Sequence, residues 1–80
     1  MASFKNLVFT THPIAKGIMA KYRFDNGKEI SIVAGEGLYS TPNIPVYSED
    51  DVLSFEVMFD GEVNGWQSRE QIEEIFKNNQ

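Results

Sequence analysis

The feature that most constrains this chain is a run of structural signals in its last third, residues 55–76. From residue 52 to residue 59 apolar and polar side chains alternate, which is typical of a strand with one buried face. In this interpretation Leu53 already lies on the buried face. Asp60-Gly61 is a turn sequence, and we expect residues 62–66 to return as a second short strand.

A helix is predicted directly after these strands. Ser68 is placed to cap it, and Gln71, three residues further on, completes a capping box. The helix covers about residues 69–78, and a helix of this length is not stable alone, so it must dock on the sheet. Its buried stripe consists of Ile72, Ile75 and Phe76.

A β-hairpin is predicted in the first half of the chain. Residues 18–24 alternate, residues 29–34 supply the return strand, and Asp25-Asn26-Gly27 lies between them. A two-residue loop would pair Tyr22 with Ser31 and mix polar and apolar faces, whereas a three-residue loop with Gly27 left-handed keeps the faces separate. The predicted pairs are Phe24 with Lys28, Arg23 with Glu29, Tyr22 with Ile30, Ala20 with Ile32, and Ile18 with Ala34.

These elements predict an α+β fold in one domain, residues 1–80: a small antiparallel sheet of about four strands with the C-terminal helix packed on one face. Residues 4–10 are expected to form a strand or an extended arm. Residues 35–51 form an irregular loop that could hold a short strand around residues 44–47. The expected core consists of Ile18, Ala20, Tyr22, Ile30, Ile32, Phe55, Val57, Phe59, Ile72, Ile75 and Phe76.

Composition limits the classes of function. The chain has 80 residues and no cysteine, which excludes disulfides, zinc–thiolate sites and thiol chemistry. No basic N-terminal region precedes an apolar run, and no apolar stretch approaches the ~20 residues that span a bilayer. We expect a cytoplasmic protein that does not engage a membrane.

Charge is distributed unevenly along the chain. Residues 1–28 carry five basic residues and one acidic residue, a net charge of +4, whereas residues 29–80 carry two basic and eleven acidic residues, a net charge of −9. This asymmetry suits a basic partner for the acidic part or the pairing of opposite faces between copies. A solvated surface that keeps a small domain in solution explains the asymmetry better.

Catalytic and metal-binding patterns are weak. Glu49-Asp50-Asp51 lacks the ligand spacing of a calcium loop, and capping of a turn by Ser48 explains it better. Gly35-Glu36-Gly37 lacks the Lys-Ser/Thr of a phosphate loop, and His12 has no evident partner or nucleophile. We therefore predict no enzyme, no cofactor and no metal site.

Direct nucleic-acid binding is also disfavoured. The basic residues of the hairpin are interleaved with Tyr22 and Phe24, as in a single-strand platform. Strand alternation, however, places these two aromatic rings on the core face, opposite Lys21 and Arg23.

Four short patterns carry a resemblance: Phe24-x-Asn26-Gly27, Ile30-Ser-Ile-Val-x-Gly35, Phe55-Glu-Val-x-Phe59 and Asn64-Gly-Trp-x-Ser68. Over roughly residues 20–77 the chain resembles small uncharacterised accessory proteins of tailed bacteriophages, from which residues 40–51 depart. The resemblance implies an accessory phage product in the cytoplasm of the host cell and transfers no functional residues.

The resulting hypothesis is a non-enzymatic acidic protein that binds a host protein with a basic surface, such as a defence or nucleic-acid-processing factor, and inhibits or redirects it. The candidate partner-binding residues are Glu36, Tyr39, Tyr47, Glu49, Asp50, Asp51, Asp60, Glu62 and Trp66. Two alternatives stay open: a nucleotide-sequestering protein in which Tyr39, Tyr47 or Trp66 stacks on a base, and a virion or assembly component that forms a homo-oligomer through a strand edge.

Overall fold

Five antiparallel strands form one sheet, and their order in the sheet is their order in the sequence. The computed structural model describes residues 2–79. The elements are a 3-10 turn at Phe4–Asn6, β1 at Thr10–Thr11, β2 at Gly17–Arg23, β3 at Glu29–Gly35, a second 3-10 turn at Glu49–Asp51, β4 at Phe55–Phe59, β5 at Glu62–Gln67 and α1 at Arg69–Asn78. The predicted α+β class is confirmed.

The sheet has five strands rather than about four because Thr10 and Thr11 pair with Met19 and Ile18 at its edge. The rest of the predicted strand or extended arm lies outside the sheet, and within it Leu7 has an extended backbone. Phe4–Asn6 forms a 3-10 turn instead, and the backbone N–H of Ser3 donates to Asn6 Oδ1 at 2.8 Å. A side-chain bond this local competes with strand pairing.

The register predicted for the β2–β3 hairpin is confirmed. Tyr22 pairs with Ile30, and the Phe24 N–H donates to the Lys28 carbonyl at 2.8 Å across the three-residue loop. Gly27 has φ 89°, the left-handed conformation that a bulged loop of this kind requires and that glycine adopts without a steric penalty.

The predicted capping box at the start of α1 is also confirmed. Gln71 N–H donates to Ser68 Oγ at 3.1 Å, and Ser68 N–H donates to Gln71 Oε1 at 2.7 Å. Ile72 and Phe76 are fully buried, and the Phe76 ring lies 5.1 Å from the ring of Phe24, the residue that follows β2. Ile75, predicted in the buried stripe, is only half-buried and packs against the core cluster from outside it.

The core differs from the prediction at its margins. Tyr22 and Phe59 are half-buried, and Leu53, predicted on the buried face, is 73% exposed. The physical reason is that β4 begins only at Phe55. Leu53 lies in a bend, where its N–H donates to the Thr41 carbonyl at 2.8 Å, so strand alternation does not govern its side chain.

Segments outside the regular elements complete the core. Phe4 and Leu7 from the N-terminus and Val46 and Val52 from the long connection are buried. The strand considered for residues 44–47 does not form in this fully described segment, because Pro45 has no N–H to donate. Among residues 2–79, no helix has the length and apolar character needed to cross a membrane.

Candidate functional site

Helix α1 covers one face of the sheet and leaves the other face open. The side chains on this open face come from alternate positions of the three central strands. The register aligns them in two rows across the sheet, the first containing Met19, Val33 and Glu56 and the second containing Lys21, Ser31 and Met58.

A shallow depression of about 350 Å³ lies on the open face. It combines thioether, aliphatic and charged groups from five segments of the chain. Its lining consists of His12, Met19, Lys21, Glu29, Ser31, Val33, Leu38, Glu56 and Met58. Acidic and basic groups are both present, so the depression offers no uniformly charged cradle for an anion or a cation.

An exposed aromatic pair borders this face. The rings of Tyr39 and Trp66 lie 5.3 Å apart at 40°, and the two residues are 57% and 61% exposed. Trp66 N–H donates to the Tyr39 carbonyl at 2.9 Å. Tyr39 N–H in turn donates to Glu56 Oε1 at 3.1 Å, which holds a carboxylate next to the pair.

Trp66 owes its position to a bulge in β5. Asn64 pairs with Val57 and Gln67 pairs with Phe55, so two residues of β5 lie opposite Glu56 alone. Trp66 has φ 53°, a left-handed conformation that costs a non-glycine residue about 1–3 kcal/mol. The hydrogen bond and ring contact with Tyr39 help to offset this cost.

Gly65 allows Tyr39 to approach β5. A Cβ atom at position 65 would lie only 2.6 Å from Tyr39 Cβ, closer than non-bonded carbon atoms can come. A side chain at this position would therefore separate the loop from the strand.

The other predicted residues of the long connection lie elsewhere. Tyr47 is 74% exposed and lines a second depression, of about 330 Å³, beside β1. Glu49–Asp51 form the 3-10 turn, and Ser48 Oγ accepts from Asp50 N–H at 3.3 Å, which confirms the capping role expected of Ser48. Among residues 2–79, no group of three potential metal-ligating side chains comes together.

Asp60 and Glu62 lie at the opposite end of β4 from Glu49–Asp51, in and after the turn to β5. Asp60 Oδ2 is 3.6 Å from Lys28 Nζ. Glu36 lies in the turn that follows β3, where its N–H donates to the Lys16 carbonyl at 3.3 Å. Of the nine predicted residues, only Tyr39 and Trp66 are in direct ring contact, and the acidic residues are spread over separate turns.

Sequence reasoning missed the open face itself. The strand alternation already separated Lys21 and Met58 from the core residues, but it assigned them to solvent without joining them into one surface. The order β2-β3-β4 supplies that link. In comparisons with known proteins, the chain matches no family model, no curated protein and no solved structure, so its function is inferred from this geometry.

Proposed function

We propose that this chain is a non-enzymatic binding protein that holds a basic surface of another protein against the Tyr39–Trp66 pair. The observation that carries the proposal is Trp66, which is 61% exposed and has φ 53°. Folding alone does not favour an exposed indole ring, and it does not favour a left-handed backbone at a non-glycine residue such as Trp66. Trp and Tyr are the residue types that most often supply large shares of binding energy at interfaces.

The charge around the pair supports a basic partner. The Glu56 carboxylate is bound to the Tyr39 backbone, and the chain as a whole carries a net charge of −5. An arginine of the partner can stack on an aromatic ring and pair with a neighbouring carboxylate in one contact. The acidic residues of the separate turns then raise the rate of encounter more than the affinity.

The resemblance to accessory proteins of tailed bacteriophages supports a bacterial host protein as the partner, met in the host cytoplasm. A defence or nucleic-acid-processing factor fits, because such factors carry basic clefts for phosphate backbones. Occupation of that cleft by an acidic protein would inhibit or redirect the factor.

One observation favours the alternative of nucleotide sequestering. The depression on the open face contains Lys21, and its volume of about 350 Å³ lies within the range of small-molecule sites. Glu29 and Glu56 line the same depression and would repel a phosphate, so we rank this function second.

The proposal is tested by capturing partners of the tagged protein from a bacterial lysate and measuring the dissociation constant of the purified partner. Trp66→Ala should weaken binding at least about thirtyfold, the change expected when a central interface residue is truncated. Tyr47→Ala is the matched control, because Tyr47 is an even more exposed aromatic residue (74%) but lies beside β1.

Charge reversal of Glu49, Asp50 and Asp51 distinguishes the contribution of the acidic turn to binding from that of the aromatic pair. We expect it to slow association and reduce the dependence on salt concentration, with a smaller change in the dissociation rate. Wild-type affinity in Trp66→Ala, or a nucleotide as the only species captured, would contradict the proposal.

A further inference from the structure

The open face carries opposite charge on its two flanks. Strand β2 presents Lys21 and Arg23, both exposed, and strand β4 presents Glu56. The central strand β3 has Ser31 and Val33 between them. Its only charged residue on this face, Glu29, lies directly opposite Arg23 in the register.

Apolar side chains occupy the positions between the charges. Met19 and Val33 are neighbours in one row, and Met58 and Val63 are neighbours in the other. Met58 is 51% exposed and Val63 is 49% exposed. Within residues 2–79 no element covers this face, so its apolar area is in contact with water in the isolated chain.

We propose that the open face binds a second copy of this chain about a two-fold axis parallel to β3. Rotation about such an axis places β3 over β3 and places β2 of one protomer over β4 of its partner. The rotation keeps the two rows in place, so Lys21 lies over the partner's Met58 and its long side chain reaches the partner's Glu56 diagonally, one row away. This contact occurs twice because the interface is symmetric.

Charge selects this axis over its alternative. A two-fold axis in the same plane but perpendicular to the strands would place β2 over β2, which sets Lys21 and Arg23 against the same basic residues of the partner. An unrelated partner with one sign of charge would leave one flank unpaired, whereas a second copy matches both flanks.

The available area is sufficient for a modest interface. The molecule measures 33 × 22 × 20 Å, so no face exceeds about 730 Å² in projection. A standard interface buries about 800 Å² on each partner. We therefore expect a reversible dimer that dissociates on dilution rather than an obligate one.

The test measures the dimer dissociation constant by sedimentation equilibrium and native mass spectrometry. Lys21→Glu and Glu56→Lys should each raise it at least about tenfold, because each creates two like-charge contacts. An equimolar mixture of the two variants should form a heterodimer of wild-type affinity, since both contacts are again between opposite charges. The double variant should dimerise by itself for the same reason.

Glu56→Gln is the matched control for folding. Its side-chain oxygen can still accept from Tyr39 N–H, so it should keep the loop in place and weaken the dimer less than Glu56→Lys. A wild-type protein that stays monomeric over the whole accessible concentration range would overturn the proposal. A dimer insensitive to Lys21→Glu, as expected for pairing through the β5 edge, would overturn it as well. Glu56 belongs to both proposed surfaces, so Lys21→Glu on β2 tests the dimer and Trp66→Ala tests the proposed function, and the failure of one leaves the other standing.

Discussion

Arg69, the first residue of α1, donates from Nη1 to the carbonyl oxygen of Val52 at 2.8 Å. Its Nη2 donates to the carbonyl oxygen of Glu49 at 2.6 Å, and its guanidinium lies 5.1 Å from the centre of the Phe55 ring. The Arg69 side chain therefore joins the start of the helix to the 3-10 turn at Glu49–Asp51 and to Phe55, the first residue of β4. Glu73, four residues further along α1, accepts from Phe4 N–H at 3.3 Å and so joins the helix to the N-terminal 3-10 turn.

Replacement of Arg69 should therefore destabilise the protein. We expect Arg69→Ala to lower the free energy of unfolding by about 2–3 kcal/mol, because two carbonyl groups lose a charged donor and a cation–π contact is lost. Arg69→Lys should recover only part of the lost free energy of unfolding, since a single ammonium group cannot bond to both carbonyls as the forked guanidinium group does. Urea unfolding measures the free energy of unfolding of both variants. Lys77→Ala, at an exposed site, should change stability by less than about 0.5 kcal/mol, and an equal loss at both sites would contradict the role of Arg69.

Two serines in the connection between β3 and β4 should respond in opposite ways to replacement by alanine. Ser40 is 3% exposed, and its Oγ accepts from Gly35 N–H at 3.0 Å and donates to the Gly35 carbonyl at 3.3 Å. Ser40→Ala should cost about 1–3 kcal/mol, because it leaves a buried N–H without its partner. Ser54 Oγ is buried and has no hydrogen-bond partner among the residues described, so Ser54→Ala should be neutral or stabilising. Thermal unfolding of the two variants should rank them in this order, and the reverse order would refute the explanation.

Gly65→Ala should displace Tyr39 from β5. The added methyl group would lie 2.6 Å from Tyr39 Cβ, and we expect a loss of about 1–3 kcal/mol together with a shift in the fluorescence of Trp66, the only tryptophan. A double-mutant cycle identifies the cause. In a Tyr39→Ala background the same substitution should cost much less, and an unchanged cost would mean that the clash is not with Tyr39.

The capping box of α1 should account for a measurable share of stability. Ser68→Ala removes the acceptor for Gln71 N–H and should lower the free energy of unfolding by about 1 kcal/mol. Ser48→Ala is a suitable comparison, because Ser48 caps only a 3-10 turn through a longer bond of 3.3 Å. Chemical denaturation should show a smaller loss for Ser48→Ala, and equal losses would argue against a distinct contribution from the helix cap.

Several features could be predicted from the sequence because they depend on neighbours along the chain. The three-residue loop and the pairing of Tyr22 with Ile30 follow from strand alternation, since a slip by one residue would expose every core side chain of the hairpin. The capping box follows from the spacing of Ser68 and Gln71. Strand alternation and the capping box are patterns with a spacing of two or three residues, so the order of residues along the chain is sufficient to predict them.

Other features were decided only by the tertiary structure. Leu53 follows the alternation of β4 but is exposed, because Leu53 N–H bonds to Thr41 from a distant part of the loop. Phe4 and Val46 have no periodic pattern and are buried because other segments close over them.

The same distinction applies to the candidate site. The sequence by itself placed Tyr39 in the irregular loop and Trp66 just before the capped helix. It also placed Lys21 and Glu56 on the side of their strands that faces away from the core. Only the strand order, the bulge in β5 and the approach of the loop over Gly65 brought these residues to one face. Such a surface depends on contacts between residues far apart in the chain, and local periodicity carries no information about which distant segments become neighbours.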